Sequence, residues 1–219
     1  METHGVFLRL EGRRCVVIGD DDVAASKALG CQKAGAKVDF IGPALPPSLA
    51  AAVDAGAVRW IGRPYRAGDL SGAFLAYASV RDPDVVVGLT AEAKSAGVLL
   101  NVVDVPDACD FFAGAVVTRG PVSVVIGTGG RAPAVAGMVR ERVEATLGEE
   151  VGVVAAVVGA LRQALAGRPD RGAVLRRLAR SRLVDHLRDG DVDGAERLIE
   201  EITGAPQSLA ALGIIPGAS

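Results

Sequence analysis

Residues 15–24 read Cys-Val-Val-Ile-Gly-Asp-Asp-Asp-Val-Ala, and this stretch predicts the fold of the N-terminal half of the chain. A short β-branched strand ends at Gly19, and a helix is expected to begin near Val23. A strand, a glycine turn and a helix in this order are typical of the first turn of a Rossmann-type dinucleotide-binding domain. The second glycine of that pattern would stand where this chain has Asp21, between Asp20 and Asp22.

The three aspartates leave several interpretations open. They can cap the helix, because the helix dipole favours carboxylates at an N-terminus. They can form a turn that accepts a dinucleotide in a shifted position, although carboxylates at this place would repel a diphosphate. They can also bind a cation, since clustered carboxylates suit hard metal ions.

Further apolar segments alternate with helical patterns up to about residue 103. Strands are predicted at 37–41, 58–61, 74–78 and 98–103. Helices are predicted at 23–34, 49–55 and 84–96. This alternation is typical of an α/β fold with a parallel sheet and helices on both faces, here a Rossmann-like domain over residues 1–112.

The pattern changes after Asp104. Residues 115–126 read as two apolar strands joined by a turn at 119–121, and a helix is predicted at 134–147. From residue 151 the chain reads as three helical segments. We therefore expect a dimerisation segment of hairpin plus helix at 113–147 and a small helical domain at 148–219.

Composition indicates which kinds of binding partner and which cellular compartment to expect. A formal net charge of -2 on 219 residues gives no reason to expect nucleic acid as a partner. The longest apolar run, 151–161, is about half a membrane span, so no membrane association is expected. The N-terminus lacks the pattern of a signal peptide, and three cysteines without paired spacing indicate a reducing compartment, the cytoplasm. The sequence contains no His/Cys cluster typical of a permanent metal centre.

Several motifs resemble one known family over nearly the full length. They are Leu10-Glu11-Gly12-Arg13, Gly19 with Val23-Ala24, Asn101-Val102-Val103-Asp104, Arg119-Gly120-Pro121, Thr128-Gly129-Gly130-Arg131-Ala132-Pro133 and Arg140-Glu141. Their order is similar to that in the precorrin-2 dehydrogenase and sirohydrochlorin ferrochelatase family, the N-terminal module of sirohaem synthase. The resemblance implies an oxidoreductase that converts precorrin-2 to sirohydrochlorin with NAD, in sirohaem, cobalamin or alternative haem synthesis. It also implies a homodimer, a tetrapyrrole substrate and, in some members, ferrochelatase activity.

Asp104 is the candidate catalytic residue. It follows a strand at the carboxyl edge of the predicted sheet, where ligands of open α/β folds bind. Removal of a hydride and a proton from precorrin-2 needs a base, and a carboxylate can serve; the alternative is an aspartate that caps the next turn. Asn101 is a predicted substrate contact that either orients Asp104 or fastens the strand end. The predicted cofactor contacts are Gly19, Asp21, Asp22, Val23, Pro43, Ser79 and Val80.

The substrate's eight carboxylates would need hydrogen-bond donors and arginines. The N–H groups of Thr128, Gly129 and Gly130 precede a helix and form a candidate anion cradle. The candidate arginines are Arg119, Arg131 and Arg140. The alternative is that these arginines are ordinary surface residues.

Two other functions remain open on the sequence. Asp20, Asp21 and Asp22 in place of the glycine motif favour a chelatase, or a tetrapyrrole-binding protein, that has lost NAD binding. A structural partner of another tetrapyrrole-pathway enzyme is the third class. The apolar hairpin at 115–126 predicts a homodimer in any of these cases.

Overall fold

The computed structural model describes residues 3–214, and the chain divides into two compact units after Ala113. The predicted boundary at residue 147, between a dimerisation segment and a helical domain within the second unit, stays a prediction. No helix among residues 3–214 combines the length and the apolar character that crossing a bilayer would need.

The first unit is the predicted parallel α/β domain. Its strands are β1 (Arg14–Ile18), β2 (Lys37–Ile41), β3 (Val58–Ile61), β4 (Leu75–Ala78) and β5 (Leu99–Val102). Its helices are α1 (Asp22–Lys33), α2 (Pro47–Asp54) and α3 (Pro83–Ala96), and a single 3-10 turn lies at Pro106–Ala108. All neighbouring strands pair in parallel in the order β3-β2-β1-β4-β5. The prediction of fold class is confirmed, and the predicted element ends differ by one or two residues.

The central strand is apolar on both faces because helices cover both sides of the sheet. Cys15 and Val17 pack with residues of α1 and α2 on one face. Val16 and Ile18 pack with residues of α3 on the other face. A continuous apolar run, without alternation, is what a strand buried on both faces requires. Because β1 is the central strand of the sheet, the turn that follows it lies in the middle of the carboxyl edge.

The second unit joins a hairpin to five helices. The hairpin consists of β6 (Ala115–Arg119) and β7 (Val122–Ile126), paired antiparallel. The helices are α4 (Pro133–Thr146), α5 (Glu150–Ala164), α6 (Arg171–Ala179), α7 (Leu183–Arg188) and α8 (Val192–Thr203). Leu161, Leu178, Leu183 and Ile199 form the centre of its apolar core.

The prediction of three helical segments after residue 151 is wrong, because α6 and α7 are separate helices. The break lies at Ser181, whose Oγ donates a hydrogen bond of 2.7 Å to the carbonyl of Leu178 and accepts one of 3.3 Å from the N–H of Leu183. A serine side chain that bonds the backbone on both sides competes with the helical ladder. The apolar pattern continues across this break, so periodicity alone did not reveal it.

Candidate functional site

A cleft opens at the carboxyl edge of the parallel sheet, where the strand order reverses between β1 and β4. It encloses about 1100 Å³ and is lined by the loops after four strands, at 19–21, 42–43, 79–82 and 103–105. Apolar residues of α3 and the side chain of Tyr65 complete the wall. Ligands of open α/β sheets bind at such a reversal, because the neighbouring loops diverge there and leave a crevice.

Two glycines allow the loops to approach each other. Gly19 has a φ of 145°, and a Cβ atom there would lie 2.9 Å from the carbonyl oxygen of Ser79. A Cβ atom on Gly42 would overlap the carbonyl oxygen of Gly19. Glycine at both positions therefore allows the loops after β1, β2 and β4 to pack closely around the cleft. Gly42 was not predicted as a site residue; the glycine that directly follows β2 was the available signal.

Asp21 joins the turn after β1 to the loop after β4. Its Oδ1 accepts a hydrogen bond of 2.8 Å from the N–H of Ala24, which makes Asp21 the N-cap of α1. Its Oδ2 accepts a hydrogen bond of 2.7 Å from the Oγ of Ser79. The capping interpretation of the aspartates is therefore observed for Asp21, and both of its oxygens are engaged.

Asp22 lies apart from the other predicted cofactor contacts. Its carboxylate accepts a hydrogen bond of 2.9 Å from the Oγ of Ser48, and the residue does not line the cleft. The helix turns its side chain away, so its assignment to the cleft is corrected here. The predicted contacts that do line the cleft are Gly19, Asp21, Val23, Pro43, Ser79 and Val80.

Asp104 lines the cleft in a strained backbone conformation. Among the residues that the structure describes, it is the one non-glycine residue with a positive φ, at 62°. The 3-10 turn that follows begins after Val105 and has no side-chain cap, so the structure offers no support for capping by Asp104. Left-handed non-glycine residues cost free energy and concentrate at functional sites. The carboxylate is exposed at the cleft, where it can accept a proton.

Asn101 fastens the end of β5. Its Nδ2 donates a hydrogen bond of 2.8 Å to the carbonyl of Phe111 and a longer one to the sulfur of Cys109. Burial raises the pKa of the Cys109 thiol, which keeps it protonated and able to donate to the carbonyl of Val102 at 3.2 Å. Of the two roles considered for Asn101, these bonds favour fastening, and the residue does not line the cleft.

Arg119, in the second unit, is engaged by the end of α4. Its Nε donates a hydrogen bond of 2.8 Å to the carbonyl of Leu147, and its Nη2 donates one of 3.1 Å to the carbonyl of Glu144. Glu149 adds an ion pair at 3.1 Å. The guanidinium thus donates to two carbonyls at the end of α4 that lack a partner within the helix. The guanidinium is therefore occupied within the protein.

The glycine-rich turn before α4 has two residues in the left-handed conformation, and its role as an anion cradle stays a prediction. Gly129 and Gly130 have φ values of 61° and 74°, and Thr128 Oγ1 accepts a hydrogen bond of 3.2 Å from the N–H of Ala132. Arg140 pairs with Glu144 on the same helix. Arg131 is exposed, and its guanidinium has no ion-pair partner in the part of the chain described.

An open parallel sheet with a cleft at its point of reversal defines the class of dinucleotide-binding α/β proteins. A family described as "Putative NAD(P)-binding" matches residues 6–115, half of the chain. The chain belongs to this family.

Relatives of the chain include siroheme synthases. It is 33% identical to "Siroheme synthase 1" of Aeromonas salmonicida over 221 residues, which cover 97% of this chain and 47% of that protein. It is 34% identical to "Siroheme synthase" of Methylobacillus flagellatus over 172 residues, which cover 78% of this chain and 37% of that protein. The chain therefore spans less than half the length of these relatives. The resemblance predicted from the motifs is confirmed.

The fold is also that of a solved structure. The chain matches "SirC, precorrin-2 dehydrogenase" with a TM-score of 0.72 and 18% sequence identity. The match covers 91% of this chain and 100% of that one. This likeness supports the architecture.

Proposed function

We propose that the protein oxidises precorrin-2 to sirohydrochlorin with NAD, in the synthesis of sirohaem or a related tetrapyrrole. The observation that carries the proposal is the position of Asp104, whose backbone is in the left-handed conformation and whose carboxylate lies on the wall of the cleft at the sheet reversal. The match to siroheme synthases over 97% of the chain supports the substrate class.

The cleft suits a dinucleotide in size and in backbone shape. Its volume of about 1100 Å³ is at the upper end of small-molecule sites. Gly19 and Gly42 let the loops around the cleft pack closely, because a Cβ atom at either position would clash with neighbouring backbone. Gly19, Val23, Pro43 and Val80 would hold the cofactor, whose nicotinamide ring would accept a hydride. Ser79 and Asp21, the other predicted cofactor contacts on this wall, are hydrogen-bonded to each other.

The reaction removes one hydride and one proton from the substrate. Bound NAD would supply the acceptor for the hydride, and we assign the proton to the carboxylate of Asp104. Its exposure lets the proton pass on to solvent, so that the base is restored. The hydrogen bonds of Asn101, Cys109 and Asp110 tie the loop behind Asp104 to β5 and hold the turn in place.

The second unit supplies a candidate group for the substrate's carboxylates. Of the three predicted arginines, Arg119 and Arg140 have partners within the unit, and Arg131 is left to bind an anion. Arg131 directly follows the Thr128–Gly130 turn, which precedes α4. We assign substrate binding to this turn and Arg131.

We also propose a cytoplasmic homodimer. Cys15, Cys31 and Cys109 are free thiols, which supports a reducing compartment. Val116 and Val125 are paired across the hairpin and are 51% and 47% exposed, an apolar face that a second copy would cover.

The test is an assay with precorrin-2 and NAD that follows the absorbance of the oxidised macrocycle. We expect turnover that depends on NAD. A folded protein, verified by circular dichroism, that gives no NAD-dependent turnover would exclude the dehydrogenase function.

A chelatase or tetrapyrrole-binding protein without NAD is the second candidate, favoured by the engagement of Asp21 at the start of α1. Calorimetry with NAD separates the two functions. Binding supports the dehydrogenase, whereas no binding, together with ferrous-ion insertion into sirohydrochlorin, supports the chelatase. Copurification with another tetrapyrrole-pathway enzyme, without tetrapyrrole binding, would indicate a structural partner.

A further inference from the structure

We propose that the Asp21 carboxylate competes with the diphosphate of the dinucleotide, and that the Ser79 hydroxyl holds the carboxylate in the competing position. The inference rests on the proposed function, because it takes the cleft as a dinucleotide site. It assigns to Asp21 and Ser79 control of cofactor affinity, where the sequence predicted direct contact with the cofactor.

The first argument is the use of the helix N-terminus. In dinucleotide-binding folds, free backbone N–H groups at the start of the first helix receive the diphosphate. Here the N–H of Ala24 donates to Asp21 Oδ1 at 2.8 Å. The carboxylate, an anion on a short side chain, therefore occupies a donor that the ligand would use.

The second argument is the position of Ser79. The Oγ of Ser79 donates to Asp21 Oδ2 at 2.7 Å, so the carboxylate is held from both sides. Ser79 directly follows β4 and Asp21 lies three residues after β1, and these two strands flank the reversal of strand order. The hydrogen bond therefore crosses the crevice in which a dinucleotide would lie. We infer that a bound diphosphate must displace the Asp21 side chain.

The third argument is the charge of the cleft wall. The carboxylates of Asp20, Asp21, Asp82 and Asp104 line it, against the single guanidinium of Arg81. A diphosphate would lie against a wall that is negatively charged like itself. Removing the nearest carboxylate should therefore reduce the repulsion. Because water and salt weaken the interaction between exposed charges, an affinity gain of about tenfold is expected, which corresponds to about 1.4 kcal/mol.

The experiment is a calorimetric titration with NAD of the wild-type chain and three variants. Asp21→Asn removes the charge and keeps an N-cap residue of equal quality. Ser79→Ala keeps the charge and removes the donor that positions it. Asp22→Asn is the matched control, because it removes one charge from the neighbouring residue, which the structure places outside the cleft. Adenosine is the control ligand, because it lacks phosphate.

We expect Asp21→Asn to bind NAD about tenfold more tightly than the wild type, and Ser79→Ala to bind it several-fold more tightly. Asp22→Asn should stay within about twofold, and no variant should change adenosine binding beyond that factor. Binding of NAD by Asp21→Asn alone, with a silent wild type, would support the competition and overturn the NAD-dependent function of the natural chain.

Three results would overturn the inference. Equal NAD affinity of Asp21→Asn and the wild type would do so and leave the proposed function standing. An equal gain in Asp22→Asn would show a general charge effect and no specific competition. Absence of NAD binding in every variant would overturn both the competition and the use of NAD.

Discussion

The Nε atom of Arg119 donates a hydrogen bond of 2.8 Å to the carbonyl oxygen of Leu147, and so ties the end of β6 to the end of α4. The same guanidinium also reaches Glu144 and Glu149, and the side chain is only 12% exposed. An arginine predicted to bind substrate is thus placed as a cap on a helix C-terminus.

Replacement of Arg119 by Met should lower the free energy of unfolding by about 1–3 kcal/mol, because the carbonyls of Leu147 and Glu144 lose a charged donor. Urea unfolding followed by circular dichroism measures the change. Arg140→Met is the control: its pair with Glu144 is partly exposed and should contribute about 0.5 kcal/mol. Unchanged stability of Arg119→Met together with lost sirohydrochlorin binding would instead assign Arg119 to the substrate.

Asp104→Asn should lower the turnover of precorrin-2 by about 10²–10⁴-fold, because the amide cannot accept the proton. Asparagine tolerates the left-handed conformation, so the fold and the unfolding midpoint should be retained. Steady-state rates at saturating NAD give the comparison.

Asp107→Asn is the control for Asp104, because Asp107 lies in the same loop, is exposed and does not line the cleft. Its turnover should match the wild type. Near-wild-type turnover of Asp104→Asn would show that another group accepts the proton.

Asp39 should make the first unit sensitive to acid. Burial raises the pKa of this carboxyl, but hydrogen bonds from Arg59 and Arg14 outweigh burial and hold the pKa below its usual range. A carboxyl with a lowered pKa in the folded state stabilises the protein above the pKa of the unfolded chain, about 3.9. This stability is lost as the pH falls below that value.

Asp39→Asn should lower the free energy of unfolding by about 2 kcal/mol at pH 7. It should also flatten the dependence of that free energy on pH below about 4. Urea unfolding between neutral and acid pH measures both effects. Asp54→Asn, at an exposed position of the same unit, should change neither. If the free energy of unfolding of Asp39→Asn depended on pH as steeply as that of the wild type, other carboxyls would be responsible for the acid sensitivity.

Val116→Glu combined with Val125→Glu should convert the proposed dimer to a monomer, because two charges would lie on the exposed face of the hairpin. Light scattering should give twice the chain mass of 22.3 kDa for the wild type and that mass for the variant. Val192→Glu, on α8, is the control and should stay dimeric. A monomeric wild type at all concentrations would contradict the proposal.

The parallel sheet and the position of its cleft could be predicted from the sequence. The apolar run 15–18 is a strand buried on both faces, and Gly19 marks the turn after it. These are local properties, because hydrophobic period and glycine turns act within a few residues. Asp104 could be placed at the cleft for the same reason, as it follows the last strand.

The roles of neighbouring, chemically equal side chains were decided by the tertiary structure. Asp21 and Asp22 are adjacent carboxylates, yet one reaches Ser79, 58 residues away, and the other reaches Ser48. Arg119 is the last residue of β6 and Arg131 follows the same hairpin, yet only Arg119 donates hydrogen bonds to carbonyls at the end of α4. Sequence alone determined which residue types stand at the loop ends. Their partners depend on contacts between distant segments, which exist only once the sheet and the helices have packed.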